Sequence, residues 1–313
     1  MRLWSDEIEA MRAEARAVVA AGNSFMTVEA PSGDLSRDEE VAAARAAIDA
    51  STFPVPEAEA VDIGGVACRV HRPQVDPRAV YLHFHGGGMI SGSASLMDIP
   101  NQMLAGELGV VVVSVEYRKA PEFPWPAGPD DGEAVARALI ERVGAELGSE
   151  RLLIGGESAG GYMAAAVALR IREMGAIDRV DGLNLTYGVH DWGGNPSQHG
   201  VRATDGPDIL SPEFMQLARE CFLPGKTDEE RRAPEISPVN ADLHGLPPCF
   251  VSAGTSDHLF DDSLALATRA AAAGVDVELF VLPELPHAFQ VFDCGITRAW
   301  AVAQSAWMAA HVA

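Results

Sequence analysis

Three observations predict an α/β architecture with a mainly parallel central sheet. From residue 58 onward, apolar strand-like runs alternate with helical segments, the pattern of strands joined by helices that cover both faces of a sheet. One run, Arg151-Leu152-Leu153-Ile154, passes through Gly156-Glu157-Ser158-Ala159-Gly160 into the Ala-rich stretch 162–174, and reads as strand, tight turn, helix. Another, 79–84, ends in His85-Gly86-Gly87-Gly88. With 313 residues, 48% of them apolar, one large domain can bury a sizeable core and two small ones are not required.

Taken in chain order, residues 7–21 and 37–50 read as two helices joined by a linker containing Gly, Pro and Ser. Residues 58–63 and 66–71 read as an antiparallel pair of strands, followed by strands at 79–85, 110–115, 152–156 and 182–186. Helices are expected at about 132–143 and 159–174. An insertion of some 60 residues then separates 182–186 from the next strand. Within it, Ser211-Pro212-Glu213 is a helix start, with serine as N-cap and proline at the first helical position. A buried run at 248–252 and an alternating one at 277–282 give the last two strands, with helices at 263–273 and 297–311.

The chemistry lies where the strands end. In Gly156-Glu157-Ser158-Ala159-Gly160 the small flanking residues let strand and helix approach closely. The turn is so tight that Ser158 is expected in a strained backbone conformation, its hydroxyl held clear at a helix N-terminus. That pattern alone would arise by chance roughly 0.2 times in such a chain, whereas a histidine followed by three glycines would do so only about 0.01 times. Glycines suit a loop whose N–H groups must reach a tetrahedral oxyanion from close range. Gly87, Gly88 and Ala159 are the candidate donors. A phosphate-binding loop fits poorly, because no Lys-Ser/Thr follows and the G-x-G-x-x-G spacing is missing.

A serine nucleophile needs a base, and the base needs an orienting acid. Asp257 follows the strand at 248–252 and His287 the strand at 277–282, which puts both on the rim that carries Ser158. His258 is the competing base; Asp261 and Asp262, at a helix start, read as caps and helix-dipole partners. His85 reads as a tie for the glycine loop, and His83, by strand alternation, as a satisfied buried residue on the other face.

These motifs, with Glu116-Tyr117-Arg118-Lys119-Ala120-Pro121-Glu122-Phe123-Pro124-Trp125-Pro126-Ala127 and Asp257-x-Leu259-x-Asp261, resemble the bacterial hormone-sensitive-lipase-like esterases of the α/β-hydrolase fold, in the family's order and spacing from about Val80 onward. The resemblance implies a catalytic triad of Ser158, Asp257 and His287 and an oxyanion hole at Gly87, Gly88 and Ala159. It implies a helical cap made of residues 1–50 and 191–237 over a core of 51–190 and 238–313. Met26, Met89, Trp192, Phe214 and Leu285 are then expected to line the substrate pocket. Glu157, Trp125 and Ala288 depart from the family's usual Asp, Phe and Gly. The function implied is a serine carboxylesterase acting on small to medium esters with short acyl chains, without metal or organic cofactor. Amide, lactone or carbamate hydrolysis by the same triad is the alternative, and a non-catalytic ligand-binding protein a minor one. By analogy with the family, a homodimer is expected.

The rest of the composition fits that reading. A net charge of −22 argues against nucleic acid and anionic membranes as partners; the partner that the resemblance implies is a small-molecule ester. Cys68, Cys221, Cys249 and Cys294 lack metal or C-x-x-C spacing and read as free thiols. The amphipathic N-terminal segment lacks a signal-peptide core, and no stretch reaches the ~20 apolar residues of a membrane span. A cytoplasmic location is therefore expected.

Overall fold

The computed structural model describes residues 3–26, 36–200, 202, 206 and 209–312, with side chains for all of these except 23–26. Eight strands form one sheet: β1 Glu59–Ile63, β2 Val66–His71, β3 Val80–Phe84, β4 Val111–Val115, β5 Leu152–Glu157, β6 Val180–Thr186, β7 Cys249–Gly254 and β8 Val277–Leu282. Their spatial order is β1-β2-β4-β3-β5-β6-β7-β8. β1 and β2 form an antiparallel hairpin, β2 runs antiparallel to β4, and the other pairs are parallel.

β-Branched and apolar residues fill both faces of the inner strands, as a sheet covered on both sides requires. Strand alternation divides them between two cores. Leu82, Val113 and Ile154 point into one, and Tyr81, Val112 and Leu153 into the other. The helices are α1 Asp6–Ala10, α2 Arg12–Met26, α3 Arg37–Asp49, α4 Asp98–Leu108, α5 Ala127–Ala138, α6 Gly144–Glu146, α7 Ala159–Glu173, α8 Pro212–Phe222, α9 Asp228–Arg231, α10 Phe260–Ala272 and α11 Gly295–His311. α7 packs along β3, β5 and β6 with α5 beside it, and α10 packs on β7 and β8. α11 and α4 pack together on the other side, against β6 and β8 and against β4.

The strands fall where the sequence puts them, within two or three residues. Two helices do not. α4 was not expected, and α5 starts five residues earlier than the expected 132. Both carry a proline at their third helical position, Pro100 and Pro129. Proline reads as a breaker, but in the first turn its missing N–H has no intrahelical acceptor to lose. Past Ala138, α5 continues through a π turn, Leu139–Val143, into α6.

The first 50 residues divide into two attachments. α1 and α2 lie on the main body, α2 against α11, where Glu14 Oε2 accepts the Gly295 N–H at 3.1 Å. α3, opened by a Ser36/Glu39 capping box, packs instead on α8, with an Arg37–Glu220 ion pair of 2.7 Å. Arg45 of α3 donates to the carbonyls of Ile90 and Ala120 and forks onto Glu122. That arrangement ties α3 to the segment just after the glycine loop. α8 starts as expected, the Ser211 hydroxyl accepting the Phe214 N–H at 3.1 Å. Its Phe214 and Ala218 rest on Gly88: a Cβ there would sit 2.8 Å from the Phe214 ring and 3.2 Å from Ala218 Cβ.

Candidate active site

Ser158 stands between β5 and α7 with φ 58° and ψ −119°, a left-handed backbone that a non-glycine residue holds only under constraint. The constraint is visible in its neighbours. A Cβ on Gly156 would lie 2.2 Å from the Phe84 carbonyl oxygen, and one on Gly160 would lie 1.9 Å from it. No other residue fits at either position. The Ser158 N–H donates to Thr186 O at 2.9 Å, which fixes the turn to β6.

Two loops bring the partners in. The Ser158 hydroxyl donates to His287 Nε2 at 2.9 Å. The Nδ1–H of His287 donates to Asp257 Oδ2 at 2.8 Å, and Asp257 Oδ1 accepts the Leu259 N–H at 2.8 Å. Asp257 is buried and the His287 ring lies against Tyr187, with centroids 4.6 Å apart. The two loops brace each other: Ser256 N–H donates to Leu285 O at 3.0 Å and Glu284 N–H to Thr255 Oγ1 at 2.9 Å. Glu284, buried, also receives Arg12 and Arg16 of α2 on its carboxylate. The histidine loop is thus clamped to the N-terminal helix. Ala288, directly after His287, is left-handed at φ 54°, which explains why glycine suits that position.

The glycine loop lies against the nucleophile, a Cβ on Gly86 being 3.4 Å from Ser158 Cβ. His85 Nδ1–H donates to Gly86 O at 2.7 Å, and Gly87 O accepts the N–H of Ile90 and of Ser91 at 3.1 and 2.9 Å. Because each peptide is planar and trans, these engaged carbonyls turn the N–H groups of Gly87 and Gly88 to the opposite side of the loop. The Ala159 N–H, at the first position of α7, is one that the helix itself leaves without an acceptor. His85 is fully buried and stacked on Tyr117, with centroids 4.3 Å apart. Burial pushes its pKa well below the usual imidazole range, so it is a neutral strut rather than a proton carrier. His83 pairs with Ser114 Oγ and with Glu157 Oε2, each at 2.9 Å. Glu157, longer than the usual Asp, supplies the reach to that ring. His258, the competing base, has its Nδ1 on Ser197 O at 2.9 Å.

Beside Ser158 lies a cavity of about 30 Å³, lined among others by Gly88, Trp192, Phe214 and Leu259, with Gln198 and Arg219 as a polar wall. Of the residues expected to line a substrate pocket, Trp192 and Phe214 line this cavity. Met89 and Leu285 do not. Met89 is wholly buried, and its methyl packs on Gly128, where a Cβ would lie 2.8 Å away. Leu285 is wholly buried with Phe289 in the core beneath the histidine loop. The side chain of Met26 lies outside the described residues.

The polar wall escaped the sequence reading. Asp261 and Asp262 are more than helix caps. Asp261 Oδ2 accepts the Ser197 N–H, and Asp262, fully buried, accepts the N–H groups of His190 and Asp191 and the Gln198 amide, all at 2.8–2.9 Å. Burial pushes the Asp262 carboxyl up to about 7. Gln198 Oε1 in turn accepts Arg219 Nη2 at 2.8 Å. The available signal was Arg219 itself: it sits among the apolar positions Met215, Ala218 and Phe222 on the buried stripe of α8.

Comparisons with known proteins agree with this geometry. A family described by its α/β-hydrolase fold matches residues 81–291. The chain is 34% identical over 233 residues to the carboxylesterase NlhH of Mycobacterium tuberculosis, covering 72% of each. It is 33% identical to the esterase LipI of the same species, covering 82% of this chain and 83% of that one. A crystal structure of a hormone-sensitive lipase from a metagenome library superposes over the full length of both chains at TM-score 0.78 and 31% identity. The hormone-sensitive-lipase homologue EstE7 does so at 0.77 and 30%, over 96% and 98%. With strand order, serine turn and glycine loop all in place, the chain belongs to the hormone-sensitive-lipase-like esterases of the α/β-hydrolase family.

Proposed function

We infer that this chain, a carboxylic ester hydrolase, works through an acyl-enzyme on Ser158 and favours short acyl groups. The observation that carries the reading is the hydrogen-bonded series Ser158 Oγ, His287 Nε2, His287 Nδ1, Asp257. His287 takes the hydroxyl proton as Ser158 attacks the carbonyl, and Asp257 holds the tautomer and stabilises the imidazolium. The N–H groups of Gly87, Gly88 and Ala159 receive the oxyanion, each such donor being worth about 100- to 1000-fold in rate. The alcohol leaves with the histidine's proton, and a water activated by the same ring releases the acid.

The short-acyl preference rests on the narrow cavity beside Ser158, lined by Trp192 and Phe214, whose bulky rings leave little room for a long chain. In this reading the cap expected from residues 1–50 and 191–237 is formed by α3 and the described part of 191–237, α3 bracing α8 over the glycine loop, whereas α1 and α2 lie on the main body. Among the described residues no helix is long and apolar enough to cross a membrane, and a cytoplasmic esterase is the form we propose. The test is Ser158→Ala assayed with p-nitrophenyl butyrate, alongside wild-type turnover of acetate, butyrate and octanoate esters. Loss of at least about 10³-fold in kcat is expected, with octanoate the poorest of the three. Retention of more than a trace of turnover by the alanine variant excludes Ser158 as the nucleophile, and a preference for octanoate excludes the short-acyl reading.

A further inference from the structure

Arg219 lines the cavity beside Ser158, yet its position on α8 is a poor one for a cation. The residue is 8% exposed and lies on the stripe that otherwise carries Met215, Ala218 and Phe222. Its bonds go to neutral amides: Nη2 to Gln198 Oε1 at 2.8 Å and Nη1 to Gln216 Oε1 at 3.3 Å. Nε is buried and has no acceptor among the described residues. Among the described residues no carboxylate lies within ion-pair distance of it. Asp228, Asp262 and Asp191 act on it only through space, and Arg231 opposes them.

A buried guanidinium without a contacting anion is costly. A methionine or leucine there would continue the apolar stripe of α8 at no such cost. The Asp262–Gln198 relay also fixes the polarity of the wall. The Gln198 amide nitrogen donates to Asp262 Oδ2 at 2.8 Å and to the Asp191 carbonyl, which can only accept, at 2.9 Å, and this turns the amide oxygen toward Arg219. The wall therefore presents donors, and a positive charge, to whatever enters beside Ser158.

We propose that Arg219 is a specificity determinant that receives a carboxylate on the substrate, so that the preferred esters carry an acid group a few bonds from the scissile carbonyl. This rests on Ser158 being the nucleophile and names a substrate class for that site. The anion can belong to the acyl part, as in a hemiester of a short dicarboxylic acid, or to the alcohol part, as in an O-acylated hydroxy acid. The chain's own net charge of −22 repels anions at long range. A preference for them can therefore come only from a local cation, and added salt should raise kcat/KM for the anionic ester by screening that repulsion.

The experiment measures kcat/KM of the full-length protein on two pairs, each an anionic ester and its neutral methyl ester. Monomethyl succinate with dimethyl succinate tests the acyl side, and O-acetylglycolate with methyl O-acetylglycolate tests the alcohol side. A charge-assisted contact of this kind predicts an anionic-to-neutral ratio of at least about 10 in one pair, and the pair that shows it identifies which side the carboxylate is on. In Arg219→Met that ratio falls about 10- to 100-fold, and in Arg219→Lys it falls less. A wild-type ratio at or below one in both pairs overturns the proposal without any variant having to fold, as does an unchanged ratio in Arg219→Met. If wild type turns over neither member of either pair, p-nitrophenyl butyrate decides: no turnover of it sinks the Ser158 reading, whereas its turnover, or hydrolysis of the neutral esters alone, sinks the Arg219 assignment only.

Discussion

Replacing Glu284 by glutamine tests whether α2 helps to hold the histidine loop in register. The carboxylate sits between β8 and His287 with its side chain 6% exposed, and it accepts from Nε of Arg12 at 3.0 Å and from Nη2 and Nε of Arg16 at 2.9 and 3.2 Å, with a further close contact from Arg12 Nη2. Glutamine keeps the shape but puts an amide NH2 against guanidinium donors. A hydrogen bond to a charged partner is worth about 1.5–3 kcal/mol net. The Arg16 share is small, since its side chain is 67% exposed and solvent screens such a pair. The expected loss is therefore about 2 kcal/mol, or roughly 3 °C in Tm for a domain of this size. Because His287 lies three residues on, and a misplacement of about 1 Å can cost 10²-fold, kcat/KM should fall by about 10-fold. The arginines hold the Glu284 carboxyl below its ordinary value against the opposing effect of burial. A depressed carboxyl stabilises the fold fully above its unfolded pKa of about 4.3, and that stability is lost as pH falls through the folded value. The wild-type minus variant difference in urea unfolding should accordingly be flat above about pH 5 and shrink below it. An unchanged Tm together with an unchanged kcat/KM refutes the clamp. Lost stability with unaltered kcat reduces it to a tether.

Two other substitutions probe the backbone of the site. Ala288→Gly should stabilise the protein by about 0.5–1 kcal/mol, because the left-handed φ of 54° costs an L-residue about 1–2 kcal/mol, partly offset by the greater freedom of an unfolded glycine; a lower Tm would show that the strain is not there. Gly88→Ala should lower kcat/KM by at least about 100-fold, since φ is +63° and the new Cβ would meet the Phe214 ring at 2.8 Å. Adding Phe214→Ala relieves the clash but not the backbone strain, so only partial recovery is expected, and full recovery would mean that the glycine is needed only for space.

What the sequence made legible is what a single local requirement dictates. Gly156 and Gly160 are forced by the Phe84 carbonyl, so the serine turn could be read from five residues. Asp257 and His287 follow strands whose ends share one rim, so topology alone put them within reach of Ser158. Helix starts were legible at Ser211, where cap and proline agree, and not at Asp98 or Ala127, where a first-turn proline imitates a stop. Met89 and Leu285 adjoin Gly88 and precede His287 by two residues, which made them look like pocket lining. Proximity in the chain says nothing of which side of the loop a side chain takes, and the core took both.

The pocket wall was illegible for a different reason. Its orientation is set by Asp262, 64 residues from the Gln198 amide that it fixes, and Gln198 in turn fixes Arg219 across another 21. Each of these residues is bland where it stands: an acid at a helix start, an amide in a loop, an arginine in an amphipathic helix. Only the assembled relay has a direction, because the Gln198 nitrogen is held by Asp262 and by the Asp191 carbonyl, a guanidinium donates and cannot accept, and a single amide between them has one way to face. That direction sets a guanidinium in the wall of the cavity beside Ser158, inside a chain whose net charge is −22, so in the proposed reading the local charge and the global one oppose each other where the substrate binds.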